Sequence, residues 1–249
     1  MSVGTGPVLA RALQILDAFS TERLEMSLSE LARHTGLPVS TVHRLAGPLV
    51  EWGALERDER GHYRIGLRLW EIGSLATRGL ALREQALPFL ADLAQVTREM
   101  VQLAVREGTE LVFVERIAGT EAVPMVIRVG GRCPLAASGV GLVLLAHAPA
   151  PLQEEVLASP IERFTDFTIT DPRVLRRTLA DVRTSGFAIS DRQLTPDSLS
   201  VGAPIHNARG AVVAAVSLVV RHGSVSPRAL APIVRTSARA ISRALVSAD

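Results

Sequence analysis

Residues 27–52, SLSELARHTGLPVSTVHRLAGPLVEW, constrain the fold more than any other stretch of the chain. Ser27 is a good helix N-cap, because Glu30 stands three residues later and can reach back to the Ser27 N–H, while Met26 and Leu31 are placed to close a hydrophobic staple. The helix so started ends at Gly36, which suits the left-handed C′ position. Pro38 cannot prolong it, yet its fixed φ suits the first turn of a new helix. The segment reads as helix, tight turn, helix. In the second helix Val42, Leu45, Ala46 and Leu49 follow the i, i+3, i+4, i+7 spacing of a buried stripe. Ser40, Thr41, His43, Arg44 and Gly47 are left outside.

The flanking residues extend this pattern. Val8–Phe19 spaces Leu9, Ala12, Leu13, Ile15 and Leu16 as an amphipathic first helix, and STERLEM follows as a loop. Ala54–Arg57 and His62–Ile65 read as short strands joined by the turn Asp58–Gly61. Two helices about a glycine turn also occur in plain helical domains, and some winged helices only dimerise enzymes. The order of helix, capped helix, turn, helix and two-stranded wing nevertheless defines a winged helix-turn-helix. Small hydroxyls, free N–H groups and an arginine at the head of the second helix are what phosphates and base edges require. The candidate DNA contacts are Ser27, Pro38, Val39, Ser40, Thr41, His43 and Arg44, with Arg57, Arg60 and Arg64 on the wing. Asp58 and Glu59 at the wing tip repel phosphate, so any wing contact falls to those arginines. Gly47-Pro48 predicts a kink or an early helix end near Gly47, since an interior proline costs roughly 3 kcal/mol; Leu49 and Trp52 are expected to stay packed.

With 249 residues, 47% of them hydrophobic, the chain is long enough for two modest domains. Its longest apolar runs, 139–148 and 211–220, are about half of the roughly 20 residues a membrane-spanning helix needs, so no membrane partner is expected. The N-terminus lacks the features of a signal peptide and the single Cys133 excludes an internal disulfide, which places the expected site of action in the cytoplasm. The formal charge is only +2, and the first eighty residues balance nine arginines against nine acids. Arg33–Val50 alone holds two arginines, two histidines and no acid, so any positive face is local. All 27 basic residues are arginine, which suits bidentate phosphate binding. A coding bias that replaces lysine everywhere is the simpler account.

Beyond the wing, Leu67 to about Arg83 reads as a connecting helix and Glu84 to about Arg98, with Leu87, Leu90, Ala91 and Leu93, as the first helix of a second domain. The expected divisions are 1–66, 67–83 and 84–249. Strands at VQLAVRE, ELVFVERI and VPMVIRVG precede helices at Ser138–His147, Pro151–Ala158 and Pro172–Ser185; strands at FAISDR, LSVGAPI and AVVAAVSLVV and a helix from Pro227 to Val246 close the chain. This is an α/β domain with a mainly antiparallel sheet. Ser138 is a plausible N-cap, so the N–H groups of Gly139, Val140 and Gly141 would offer a carboxylate a helix start free of side chains. The competing reading is that these glycines merely let the helix pack closely on the sheet. No G-x-S-x-G, phosphate-binding loop, G-x-G-x-x-G or H-E-x-x-H occurs, so neither enzyme chemistry nor a cofactor is expected. His147, His206 and His222 are scattered, Cys133 reads as a packing residue, and no metal is expected.

LSELARHTGLPVSTVHRL, followed by WGALERDERGHYRIGLRLWEIG, resembles the N-terminal domain of IclR-type transcriptional regulators. PLAASGVGLVLLA (134–146), DPRVLRRTLADVRTSGFAIS (171–190) and SVGAPIHNARGAVVAAVSLV (200–219) are similar to three successive signatures of that family's effector domain. The resemblance covers nearly the whole chain. It implies an α+β protein: a winged helix-turn-helix joined by a helix to a GAF-like α/β effector domain. It implies effector contacts at Ser138, Gly139 and Val140, at Ser190 or Asp191, and at Ser198, Ser200, Ser217 and Val219. The implied partners are double-stranded DNA with a pseudo-palindromic operator, a small organic or aromatic acid, and further copies of the chain as a homodimer or a dimer-of-dimers tetramer. Val39 departs from the family's frequent basic residue, Asp197 from its glycine, and Gln193 and Thr195 lie where it carries acids nearby. On the residues alone two other classes stay open, a GAF-type sensor acting through protein partners and an enzyme using the winged helix only to dimerise.

Overall fold

The capped start at Ser27 forms in full: Ser27 N–H donates to Glu30 Oε2 at 2.8 Å and Glu30 N–H donates to Ser27 Oγ at 3.3 Å. The computed structural model describes residues 7–20, 22–124 and 127–248. Its contacts divide the chain after Thr77 into two units, a point inside the expected connector.

The first unit holds α1 (Val8–Asp17), β1 (Glu25–Met26), α2 (Leu28–Thr35), α3 (Val39–Trp52), β2 (Leu55–Arg57), β3 (Tyr63–Ile65) and α4 (Leu67–Gly73). Gly36 ends α2 at φ 68°, a left-handed conformation that costs glycine little. Gln14 Nε2 donates to Thr35 O at 2.6 Å and so ties α1 to that turn. Ile15, Met26, Leu31, Val42, Leu45, Ala46, Leu55 and Tyr63 meet in one core. STERLEM is more than a loop, because its last two residues form β1 and pair with β3, giving the order β1-β3-β2. One expected face is corrected. Leu9 and Leu13 of α1 are 69% and 51% exposed, since the helix turns only Ile15 fully inward.

Gly47-Pro48 does not end α3, which runs on to Trp52. Pro48 forfeits one hydrogen bond, but Leu49 and Val50 pack against the core, and Gly53 and Ala54 N–H return to Val50 O at 3.0 Å and Leu49 O at 2.8 Å. Full burial of a large apolar side chain is worth roughly 1.5–3 kcal/mol, so these two half-buried side chains together offset part of the proline's cost. Trp52, expected to be packed, is 51% exposed, with the Arg68 guanidinium 5.8 Å from its ring centroid.

The single connecting helix expected over 67–83 is two pieces. Ser74 closes α4, its N–H donating to Trp70 O at 2.8 Å and its hydroxyl to Glu71 O at 2.6 Å. Helix α5 (Thr77–Thr97) then passes through position 84 unbroken, because Leu82, Ala86, Leu90, Leu93 and Ala94 make one buried stripe across it. Leu87 and Ala91, expected on that stripe, face outward.

The second unit continues with β4 (Met100–Glu107), β5 (Glu110–Ala118), β6 (Arg132–Pro134), α6 (Gly139–Ala146), α7 (Ala150–Ala158), α8 (Pro172–Ser185), β7 (Ala188–Asp191), β8 (Ser198–His206), β9 (Val212–Arg221) and α9 (Pro227–Ala248). The sheet order is β6-β5-β4-β9-β8-β7, and every described pairing is antiparallel. Met125 and Val126 of the expected third strand lie outside the described residues. The strand that pairs with β5 comes later, at β6, after a turn at Gly130-Gly131. One face of the sheet packs on α5 and α9, the other on α6 and α8. Helix α6 carries no polar side chain and all eight of its residues are buried, as a helix apolar on every side must be.

Ser27→Ala should lower stability by about 1 kcal/mol, the usual cost of losing an N-cap, in urea unfolding of the full chain. The Ser27 N–H and hydroxyl hold the Glu30 carboxyl below its ordinary value. A lowered carboxylate pKa stabilises above the unfolded value and loses that effect as pH falls through the folded one. The gap between wild type and Ser27→Ala should therefore narrow below about pH 4.

Candidate nucleic-acid interface and effector site

Helix α3 starts at Val39, so Pro38 is its N-cap rather than its first helical residue; Thr41 N–H donates back to Pro38 O at 2.9 Å, which leaves the Val39 and Ser40 N–H groups without an intrahelical acceptor. Val39 is 49% exposed; Ser40, His43 and Arg44 are exposed and Thr41 is half-buried. Arg44 makes no ion pair with any described residue. These five side chains share the helix start while Val42, Leu45 and Ala46 hold the opposite side in the core. Ser27 plays a different part, because its oxygen accepts from Glu30 N–H and its hydroxyl donates to Glu30 Oε2 at 2.8 Å. Its hydroxyl is therefore committed to orienting α2 beneath the reading helix.

The wing arginines differ among themselves. Arg60 is exposed at the tip, and Arg57 lies with its guanidinium 5.5 Å from the Tyr63 ring centroid. Arg64 stands across from Glu56 in register and donates to its carboxylate through Nε at 2.9 Å and Nη2 at 2.7 Å. Glu56 also accepts the Leu67 N–H at 3.2 Å. The Arg64 fork, with the Leu67 N–H, lowers the Glu56 carboxyl below its usual range. Asp58 is turned back into the wing, where it accepts His62 N–H at 2.7 Å, and this bond lowers its pKa. The repulsion expected at the tip thus rests mainly on Glu59.

In the second unit the sheet register gathers most of the implied effector residues. Ser190, Ser200 and Val219 are successive partners across β7, β8 and β9. Gly202, Ser217 and Gln102 form the next row on the same face. The start of α6 lies against both rows: a Cβ on Gly202 would stand 2.5 Å from Gly139 O, and one on Gly139 would stand 2.6 Å from Ser200 Oγ. Close helix-on-sheet packing therefore requires these glycines. The N–H of Gly141 is taken by Ser138 Oγ at 3.1 Å, so it is not open to a ligand as expected, and the Val140 side chain lies wholly in the core.

The serines are buried and mostly partnered. Ser190 donates to Ala137 O at 2.9 Å, Ser217 to Gln102 Oε1 at 3.3 Å, and Ser198 accepts from Thr195 Oγ1 at 2.6 Å. Ser200 Oγ is buried with no hydrogen-bond partner. A buried hydroxyl left so costs about 1–3 kcal/mol. Asp191 does not join the cluster: strand alternation puts it across from Leu199 on the other face, where it meets His222 Nδ1 at 2.7 Å. Thr195 also lines a cavity of about 560 Å³ with Phe113, Ile127, Arg128, Cys133 and Leu194. Burial pushes the Cys133 thiol up to about 12, which makes it a packing group rather than a nucleophile.

Two residues here were not anticipated. Gln102 is 2% exposed in the middle of the sheet, and Arg116, its register partner on β5, donates to Ile127 O at 2.8 Å. The signal for Gln102 was a lone polar residue inside the apolar run VQLAV.

A capped support helix, an exposed second helix and a three-stranded wing define the first unit as a winged-helix DNA-binding module of the kind found in transcriptional regulators. The comparisons agree. The IclR helix-turn-helix domain matches residues 8–59, and the bacterial transcriptional regulator IclR C-terminal domain matches residues 75–243. The chain belongs to the IclR family of transcriptional regulators. It is 32% identical over 211 residues to the HTH-type transcriptional regulator KipR of Bacillus subtilis, covering 84% of each chain. To the regulator XynR of Escherichia coli it is 31% identical, covering 94% of this chain and 95% of that one. An IclR homologue from Microbacterium hydrocarbonoxydans, crystallised with 4-hydroxybenzoate, is 37% identical with a TM-score of 0.92 over 98% of this chain and 100% of the other. These relatives are regulators, not enzymes, and among the described residues no helix is long and apolar enough to cross a membrane.

Glu56→Gln should release Arg64 to the wing surface. Operator affinity measured by fluorescence anisotropy should rise several-fold, and the slope of log K against log salt should steepen by about one.

Proposed function

We propose that the chain regulates transcription in the cytoplasm as a homodimer, or a dimer of dimers, whose operator affinity is set by a small organic or aromatic acid in the second unit. The observation that carries the effector reading is the buried, unpartnered Ser200 hydroxyl beside the start of α6 and Ser190. An acid's carboxylate would give it an acceptor. Arg116 and the adjoining cavity supply a cation and apolar volume close by on the same face. The co-crystallised 4-hydroxybenzoate of the Microbacterium relative supports the ligand class. Self-association is favoured by exposed apolar residues in the first unit, Leu9 and Leu13 on α1 and Leu67 and Trp70 on α4. Two reading heads related by a two-fold axis match half-sites about one helical turn, or a multiple of it, apart. DNA contact is assigned to Val39, Ser40, Thr41, His43 and Arg44, with Arg57 and Arg60 on the wing.

Mobility shift on the DNA flanking the chain's own gene, with and without a panel of small acids, tests both halves. Arg44→Ala should weaken operator binding roughly 10- to 100-fold; unchanged affinity would remove α3 as the reader. Ser200→Ala should leave affinity without acid intact and abolish the acid's effect. A full response from that variant would refute the assigned effector site.

A further inference from the structure

Helix α9 is fixed to the sheet by Leu230, Ala231, Val234, Ala238 and Ile241, and none of its residues is acidic. On its free side Arg228, Arg235 and Arg239 line a cavity of about 400 Å³ with Phe187, which follows the turn out of α8. Five other arginines of this unit, Arg83, Arg98, Arg132, Arg173 and Arg176, each pair with a carboxylate. The guanidinium groups of these three, out of four arginines on α9, make no ion pair or hydrogen bond with any described residue. Their placement is unfavourable for the bare helix. Arg228 puts a cation in the first turn, against the helix dipole, and Arg235 and Arg239 are like charges at i, i+4. Asp92 lies in the neighbouring groove with Pro232 and Thr236 and pairs with none of them.

We propose that this cavity is a second ligand site, for a small polyanion. Arg235 and Arg239, one turn apart on a common face, form a double guanidinium fork for one phosphate or carboxylate group. Arg228 stands about 10 Å from Arg235 and about 16 Å from Arg239 along the axis and takes a second anionic group. Phe187 and Ala231 border the space between. A monocarboxylate uses only part of this charge, so the ligand class is a compound with two or more anionic groups. The site lies on the α9 side of the sheet and Ser200 faces α6, so both sites can be filled together.

Isothermal titration calorimetry on the full chain, at low and moderate salt, would use pyrophosphate, adenosine triphosphate and citrate as probes, with adenosine and acetate as controls. Saturable binding at one site per chain is expected for at least one polyanion, weakened at least tenfold in the Arg235→Gln/Arg239→Gln variant and unchanged in Arg173→Gln. The same variant should keep the wild-type response to operator DNA and to the small acid. Pyrophosphate or triphosphate binding without citrate binding would identify phosphate as the recognised group, and the reverse carboxylate. Absence of saturable binding, an equal loss in Arg173→Gln, or a loss in Arg44→Ala instead, which would place the anion on the reading head, overturns the proposal.

Discussion

The six-stranded sheet is covered on both faces, by α5 and α9 on one side and by α6 and α8 on the other. A sheet so enclosed has no water to satisfy a polar side chain, and every such group must find a partner or carry the desolvation cost. On the α5 and α9 face β8 leaves polar groups out, Leu199, Val201, Ala203 and Ile205 alternating inward, and the buried Glu115 of β5 is paired with Arg83. On the α6 face β8 presents Ser198, Ser200 and Gly202 instead. The polar row survives there because α6 begins at that point, with Gly139 allowing its backbone to come within reach of Ser200. A helix start made of side chains would have closed the space that the serines share.

The first unit is organised by local chemistry. The capping box at Ser27 and the left-handed Gly36 set where α2 begins and ends, and Pro38 sets where α3 begins. With both helix ends fixed, the inward stripe of Val42, Leu45 and Ala46 leaves Arg44 only the outward direction. The wing is more self-contained than its arginine count implies. Glu56 neutralises Arg64 and Asp58 closes the turn, which leaves Arg57 and Arg60 as the wing arginines without a carboxylate partner among the described residues.

Much of this is legible in the sequence. The capping box, the glycine turn, the wing strands and helix α8 at Pro172–Ser185 follow from hydrogen bonds and periodicities spanning a few residues. The failures share a cause. The local cost of Gly47-Pro48 alone predicts a disturbed α3, and the packing of Leu49 and Val50 with the returning bonds of Gly53 and Ala54 carries the helix through. Leu9 and Leu13 matched a buried periodicity but face outward, since periodicity shows which residues share a side and not what covers it. The unbroken course of α5 was likewise decided by the stripe from Leu82 to Ala94.

What the chain determined by itself was the order of its elements and the chemistry of the reading helix, because helix caps, turns and short strands are short-range events. The tertiary structure decided which distant residues meet. Gln102 reaches Ser217 across 115 positions, Asp191 falls on the opposite face from Ser190, and three arginines of α9 converge beside Phe187 with no carboxylate among the described residues paired to them. Strand register and helix-on-sheet seating depend on how whole faces fit together, and that information is not carried by any one segment of the chain.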